Sequence, residues 1–139
     1  MKAESKNPTA LYIGNPYDGR LLLLRIMGYV GFEVTRVVFP EKSEELNECL
    51  YKAPDLSLVV FDLNLFSKDD FSMAVEQYTQ IKAHSKTHGI PFILFMRDNQ
   101  FDEELANKII ADKLIKYPID PDEVVKMFRE YLPSADVHI

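Results

Sequence analysis

Asp62 closes a run of four apolar residues, Leu58-Val59-Val60-Phe61, and is the first place in the chain where chemistry can be sought. A short run rich in β-branched and aromatic residues reads as a strand buried on both faces, the usual state of a central strand in a parallel sheet. In open α/β sheets the ligand crevice lies just outside the carboxyl ends of the strands. One acid therefore stands where a functional carboxylate belongs, and taken alone it reads as a solvated acid at a strand end. Other candidates are thinner. His84 and His88 have the i, i+4 spacing of a two-histidine metal site, but no third ligand accompanies them, and they read as polar surface. Gly14-Asn15-Pro16-Tyr17-Asp18-Gly19 precedes a helix and could meet an anion, yet it has no Walker or dinucleotide pattern. Asp18 reads as a helix N-cap in preference to a metal ligand, and Cys49 as small core filler.

The elements that must position Asp62 follow from periodicity and punctuation. Leu11-Tyr12-Ile13 is a short first strand closed by turn residues. A helix is predicted over 19–29, ended by Gly31, and a strand over 32–39, stopped by Pro40. Ser43 caps a second helix with Leu46, Cys49 and Leu50 on one face. After the Asp62 strand, a third helix runs from about Ser67 to Ala83, with Met73, Gln77 and Ile81 at helical spacing. Residues 90–96 form a fourth buried strand, 102–111 a fourth helix, and Leu114-Ile115 starts a last strand. Asp120-Pro121-Asp122-Glu123 is a strong helix start, with Asp at N-cap, Pro at N1 and Glu at N3. Val124, Phe128 and Tyr131 or Leu132 line the buried face of that helix. Strand and helix alternate about five times, which implies right-handed crossovers and a parallel sheet with helices on both sides. The expected fold is α/β, a flavodoxin-like three-layer α/β/α sandwich with strand order 2-1-3-4-5. Residues 1–8 read as a flexible arm, 9–132 as the domain and 133–139 as a tail.

With 139 residues, 47% hydrophobic and 27% charged, the chain suits one domain with a real core. A net charge of −6 without a basic cluster argues against nucleic acid and anionic membranes as partners. A single cysteine makes no intramolecular disulfide and fits a reducing compartment. Neither a signal peptide nor a run of about 20 apolar residues is present, so the expected setting is the cytoplasm.

The segment from Pro54 to Leu65, with Gly31-Phe32-Glu33-Val34, Ile90-Pro91-Phe92-Ile93-Leu94 and Pro118-Ile119-Asp120, resembles the response-regulator receiver family over about residues 9–132. In that family the residue matching Asp62 accepts a phosphoryl group from a histidine kinase. The resemblance implies partners for it, and most are replaced here. Two acids that hold Mg²⁺ fall on Gly14 and Asn15, a hydroxyl residue falls on Met96, and a lysine falls on Tyr117. An amide and one carboxylate suit Mg²⁺ poorly, and Met96 offers apolar surface instead of a hydrogen bond. Lys116 is one residue early, and a shift of one on a strand turns a side chain to the other face. The switch aromatic falls on Leu114 and the Asp-Gly pair on Asp69-Asp70. Charge neutralisation by metal and cation carries most of phosphoryl-transfer catalysis. The pattern is that of a pseudo-receiver.

Three function classes follow. The first is a non-enzymatic, phosphorylation-independent interaction module with a protein partner in a signalling pathway, or a homodimer, and without a cofactor. The second is a conventional phosphoacceptor using Asp62 with Mg²⁺. The third is a small-molecule binder at the crevice of Gly14, Asp62 and Met96. On the first helix Leu22, Leu23, Ile26, Met27 and Val30 share the expected buried arc, which leaves Leu21, Leu24 and Gly28 as a candidate interaction face. Glu103, Glu104, Lys108, Lys113, Lys116 and Lys126 supply a mixed-charge rim around the last elements.

Overall fold

Five parallel strands organise the chain, and the β-strands at its centre are buried on both faces. The structure, a computed structural model, describes residues 8–14, 21–37, 43–52, 56–63, 68–84, 87–117 and 119–132. In chain order the elements are β1 (Thr9–Ile13), α1 (Leu21–Val30), β2 (Glu33–Val37), α2 (Ser43–Lys52), β3 (Leu56–Asp62), α3 (Phe71–Ala83), β4 (Phe92–Met96), α4 (Gln100–Ala106), β5 (Lys113–Lys116) and α5 (Pro121–Glu130). A 3-10 turn, Lys68–Asp70, leads into α3. The sheet has the order β2-β1-β3-β4-β5, and every pair is parallel. This is the flavodoxin-like architecture expected from the alternation of strand and helix.

Successive strand residues face opposite layers. Leu11, Ile13, Phe61 and Leu63 pack under α2, α3 and α4 with Leu46, Leu50, Ile81 and Leu105. Ala10, Tyr12, Leu58 and Val60 pack under α1 and α5 with Leu23, Ile26, Met27, Val124, Met127 and Phe128. Each buried aliphatic or aromatic side chain of this kind contributes about 1.5–3 kcal/mol, so the two cores set where the strand ends lie.

Local chemistry explains the helix ends. Gly31 has φ +128 and its N–H donates to the Met27 carbonyl at 3.2 Å, with Phe32 N–H on the same carbonyl at 3.0 Å. Glycine adopts that backbone without a Cβ penalty. Asp120 caps α5 by accepting from Asp122 N–H at 3.1 Å, and Pro121 follows it.

Several sequence expectations shift. On α1, Leu22 is 49% exposed where a core position is expected, and Leu24 is partly buried against the α1–α5 core. The buried arc is centred on Leu23, Ile26 and Met27, so Leu22 and Leu24 are its two flanks. Ala74 is buried on α3 in place of Met73, and Met127 joins the buried face of α5. The fourth helix starts at Gln100 and stops at Ala106, capped by Asn99, whose side chain accepts from Asp102 N–H at 2.7 Å. Beyond it the chain tightens, with Lys108 N–H on the Leu105 carbonyl at 2.9 Å and Ile109 N–H on that of Ala106 at 3.2 Å. Ile109 is buried from this turn, which is why its spacing from Leu105 imitates a longer helix. The N-cap expected at Asp18, residues 1–7 of the arm expected at 1–8 and the tail at 133–139 lie outside the described residues, while the Pro8 carbonyl accepts from Glu33 N–H at 2.7 Å.

Candidate functional site

Asp62 is fully buried, contrary to the solvated acid expected at a strand end. The physical cause is Tyr12. β1 and β3 pair with Tyr12 opposite Val60 and Ile13 opposite Phe61, which puts Asp62 level with Gly14. Tyr12 and Asp62 lie on the α1–α5 face. Side chains lean along a strand, and the long ring of Tyr12 extends forward over Gly14. Its hydroxyl donates to Asp62 Oδ2 at 2.7 Å, a buried contact between residues 50 apart in sequence. A buried tyrosine needs a partner for its hydroxyl, and a buried carboxyl needs hydrogen-bond donors, so each meets part of the other's need.

Met96 and Tyr117, expected beside Asp62, divide between the two faces. Met96 packs in the opposite layer with Leu63, Leu94 and Leu105. It also lines a groove of about 240 Å³ between α4 and β5, with Glu103 and Leu114. It therefore presents no apolar surface to Asp62, a correction that follows from strand alternation. Tyr117 is on Asp62's face but is built into the core. Its ring lies 5.5 Å from that of Phe95, Phe95 stacks on Phe128 at 6.5 Å, and Phe128 meets Phe32 edge-on at 6.3 Å. The position that the receiver resemblance gives to a lysine is an aromatic brace here. Asn15 lies outside the described residues.

Two cations at the carboxyl ends of β4 and β5 are committed to other acids. Lys116 pairs with Glu103 at 3.2 Å and reaches Asp98 at 3.9 Å, on the α4 side as its register requires. Arg97 forms a bidentate pair with Asp102 through Nε at 2.9 Å and Nη2 at 2.7 Å, while its own backbone N–H donates to Asp102 Oδ2 at 2.6 Å. Nη2 also donates to the Leu63 carbonyl at 3.2 Å, just past Asp62. Asp102 is fully buried. Sequence reasoning misses both Tyr12 and the Arg97–Asp102 pair. The available signals were a tyrosine in an otherwise aliphatic strand, two residues before a glycine, and an arginine five residues before an acid.

The receiver resemblance implies Mg²⁺, and these residues do not fit it. Gly14 contributes no side chain, the volume its Cβ would take is filled by Tyr12, and Asp62 already accepts from a phenol. Mg²⁺ needs near-octahedral oxygen ligands. His84 caps the end of α3 in extended conformation, so His84 and His88 do not share a helical face. Among the described residues no group of three or more His, Cys, Asp and Glu is placed to hold a metal, and no helix is long and apolar enough to cross a membrane.

No protein-family model and no curated protein matches the chain. Solved structures do. A chemotaxis response regulator of Vibrio cholerae is 14% identical, covering 91% of this chain and 100% of its own, with a TM-score of 0.66. The receiver domain of a sensor histidine kinase from Pseudomonas aeruginosa PAO1, described with magnesium in its active-site cleft, is 14% identical over 91% of this chain and 98% of that one, with a TM-score of 0.69. A receiver domain from Clostridium thermocellum is 19% identical over 90% and 97%, with a TM-score of 0.69. What the chain shares with all three is the fold of a response-regulator receiver domain.

Proposed function

We propose that this chain is a signalling domain that works by binding a protein partner, or a second copy of itself, without phosphorylation of Asp62. The observation that carries the reading is the burial of Asp62 under the Tyr12 phenol. A phosphoaspartate would add roughly two negative charges at that point. The cations of Arg97 and Lys116 are engaged with Asp102 and Glu103, and Tyr117 is tied to Phe95. The group that would carry a switch into the last elements is therefore held by the core in one arrangement.

Binding surface is available on two sides. On α1, Gly28 is exposed with no atom within 4 Å of a Cβ built there, and Leu22 and Tyr29 are exposed beside it. Leu22 and Tyr29, seven residues apart on one flank, form a patch separate from the candidate face of Leu21, Leu24 and Gly28, where Leu24 is partly turned into the core and the Leu21 side chain lies outside what the structure describes. Near β5, Ile110 and Leu114 are exposed amid the mixed charges of Glu103, Lys113 and Lys116. The acidic net charge and lone cysteine suit a protein partner in the cytoplasm.

An amide NMR titration of wild type beside Asp62→Asn with Mg²⁺ and then beryllofluoride is the test. Wild type is expected to show no saturable shifts at Asp62 and none in β5 or α5. Saturable shifts absent from the Asn variant, carried to β5 by beryllofluoride, would restore the phosphoacceptor reading.

A further inference from the structure

Gly14 is not a glycine for backbone reasons. The glycines with positive φ among the described residues are Gly31 and Gly89, so position 14 has a backbone open to other residues. What excludes a side chain there is Tyr12. A Cβ on residue 14 would lie 2.5 Å from Tyr12 Cζ, 2.5 Å from its hydroxyl oxygen and 2.8 Å from Cε2. The ring therefore occupies the volume that any side chain at position 14 would enter, and its hydroxyl ends on Asp62 Oδ2. Tyr12 itself is fully buried, held by the layer under α1 and α5.

We propose that Tyr12 is a built-in occupant of the crevice at the carboxyl ends of β1 and β3, and that Gly14 is the space it requires. The ring shuts Asp62 off from divalent cations and phosphoryl donors, and the hydroxyl fixes the carboxyl in place. Tyr12 is thus a positioning residue that determines what the site refuses. The proposal rests on the functional reading above and supplies its physical cause.

Gly14→Ala tests it in three backgrounds. In wild type the added methyl meets the ring, and the urea midpoint falls. In Tyr12→Phe the ring carbon nearest the methyl remains, and the fall persists. In Tyr12→Leu the obstacle is gone, and the fall disappears. An equal fall in all three backgrounds, or none in wild type, overturns the pairing. Mn²⁺ line broadening reads the crevice itself. Amides beside Asp62 broaden in Tyr12→Leu but not in wild type or in Tyr12→Leu with Asp62→Asn. Absence of broadening in folded Tyr12→Leu overturns the exclusion.

Should Tyr12→Leu not fold, the wild-type chain still decides. Tetranitromethane is expected to nitrate Tyr29 and Tyr51, 73% and 75% exposed, more than about tenfold faster than Tyr12, which reacts only on local opening. Equal rates overturn the proposal. A wild type silent toward beryllofluoride but without the 12–14 coupling removes the occupant alone. A beryllofluoride response carried to β5 removes the functional reading, whatever the coupling does.

Discussion

Removing one oxygen from Tyr12 separates its two roles. Tyr12→Phe keeps the ring but leaves the buried Asp62 carboxyl short of a donor, which costs about 1–3 kcal/mol. Asp62→Asn keeps an acceptor oxygen for the phenol and is expected to cost less. Urea midpoints of the two variants check the order, and a Phe variant as stable as wild type would remove the hydrogen bond from the account. Cys49 offers a second measurement at this scale. Burial, then the nearby Glu48 and Glu45 carboxylates, push its thiol above the usual value, with Lys52 acting weakly the other way. The thiolate is the reactive form, so a raised pKa leaves less of it at mildly alkaline pH. Alkylation of the folded chain should therefore be slower than in urea and should accelerate as pH rises. Glu48→Gln should speed it; an unchanged rate in that variant would exclude the carboxylate as a cause.

The β4–α4 connection is held by charge buried on one side and exposed on the other. Asp102 is fully buried, while the Arg97 side chain is 31% exposed. Breaking a buried, hydrogen-bonded pair by removing one partner costs about 3–5 kcal/mol. Asp102→Ala is expected toward the low end of that range, because the Arg97 guanidinium it leaves is partly exposed to water while the Arg97 backbone N–H loses its acceptor. Asn99→Ala, which removes a helix cap, is expected to cost about 1 kcal/mol. Lys116→Met breaks a pair with Glu103 whose side chains are about half exposed and a longer one with the more exposed Asp98, and such pairs are worth about 0–1 kcal/mol. Chemical denaturation of the three variants tests the ranking, and amide exchange in the β4–α4 connection should rise only in the first two. If Lys116→Met proved as damaging as Asp102→Ala, the buried pair would not be what fastens α4.

Across the whole molecule, the exposed apolar residues of α1 and those beside β5 predict different salt behaviour. Leu22 and Tyr29 project from a helix whose one charged residue within Leu21–Val30 is Arg25, so association there should resist salt. Association at β5 would involve Lys113, Lys116 and Glu103, and added salt should weaken it. Leu22→Glu with Tyr29→Glu is expected to reduce self-association measured by sedimentation, with a stability change within about 0.5 kcal/mol because both sites are exposed. Unchanged sedimentation together with salt-sensitive dimers would move the interface to β5.

The sequence by itself determined whatever depends on near neighbours or on chain handedness. Asp120-Pro121 announces α5 and Gly31 ends α1, because caps act within a few residues. A parallel sheet with helices on both sides follows from alternation and right-handed crossovers, and a chain of this size matches the order β2-β1-β3-β4-β5. That Gly14, Met96 and Tyr117 stand where the receiver resemblance would have an acid, a hydroxyl and a lysine is read from the sequence alone, as is the turning of Lys116 to the far face. Only the tertiary structure decided that Asp62 is buried and that Met96 faces away from it. Those outcomes depend on the register of strands far apart in sequence, and no local pattern encodes which side chain from β1 reaches the end of β3. Arg97 and Asp102 are close in sequence, yet the pair is hidden while the helix is begun at Asp102 instead of after Asn99. Moving that boundary places the carboxylate inside the first turn, where the backbone of the preceding loop folds back onto it.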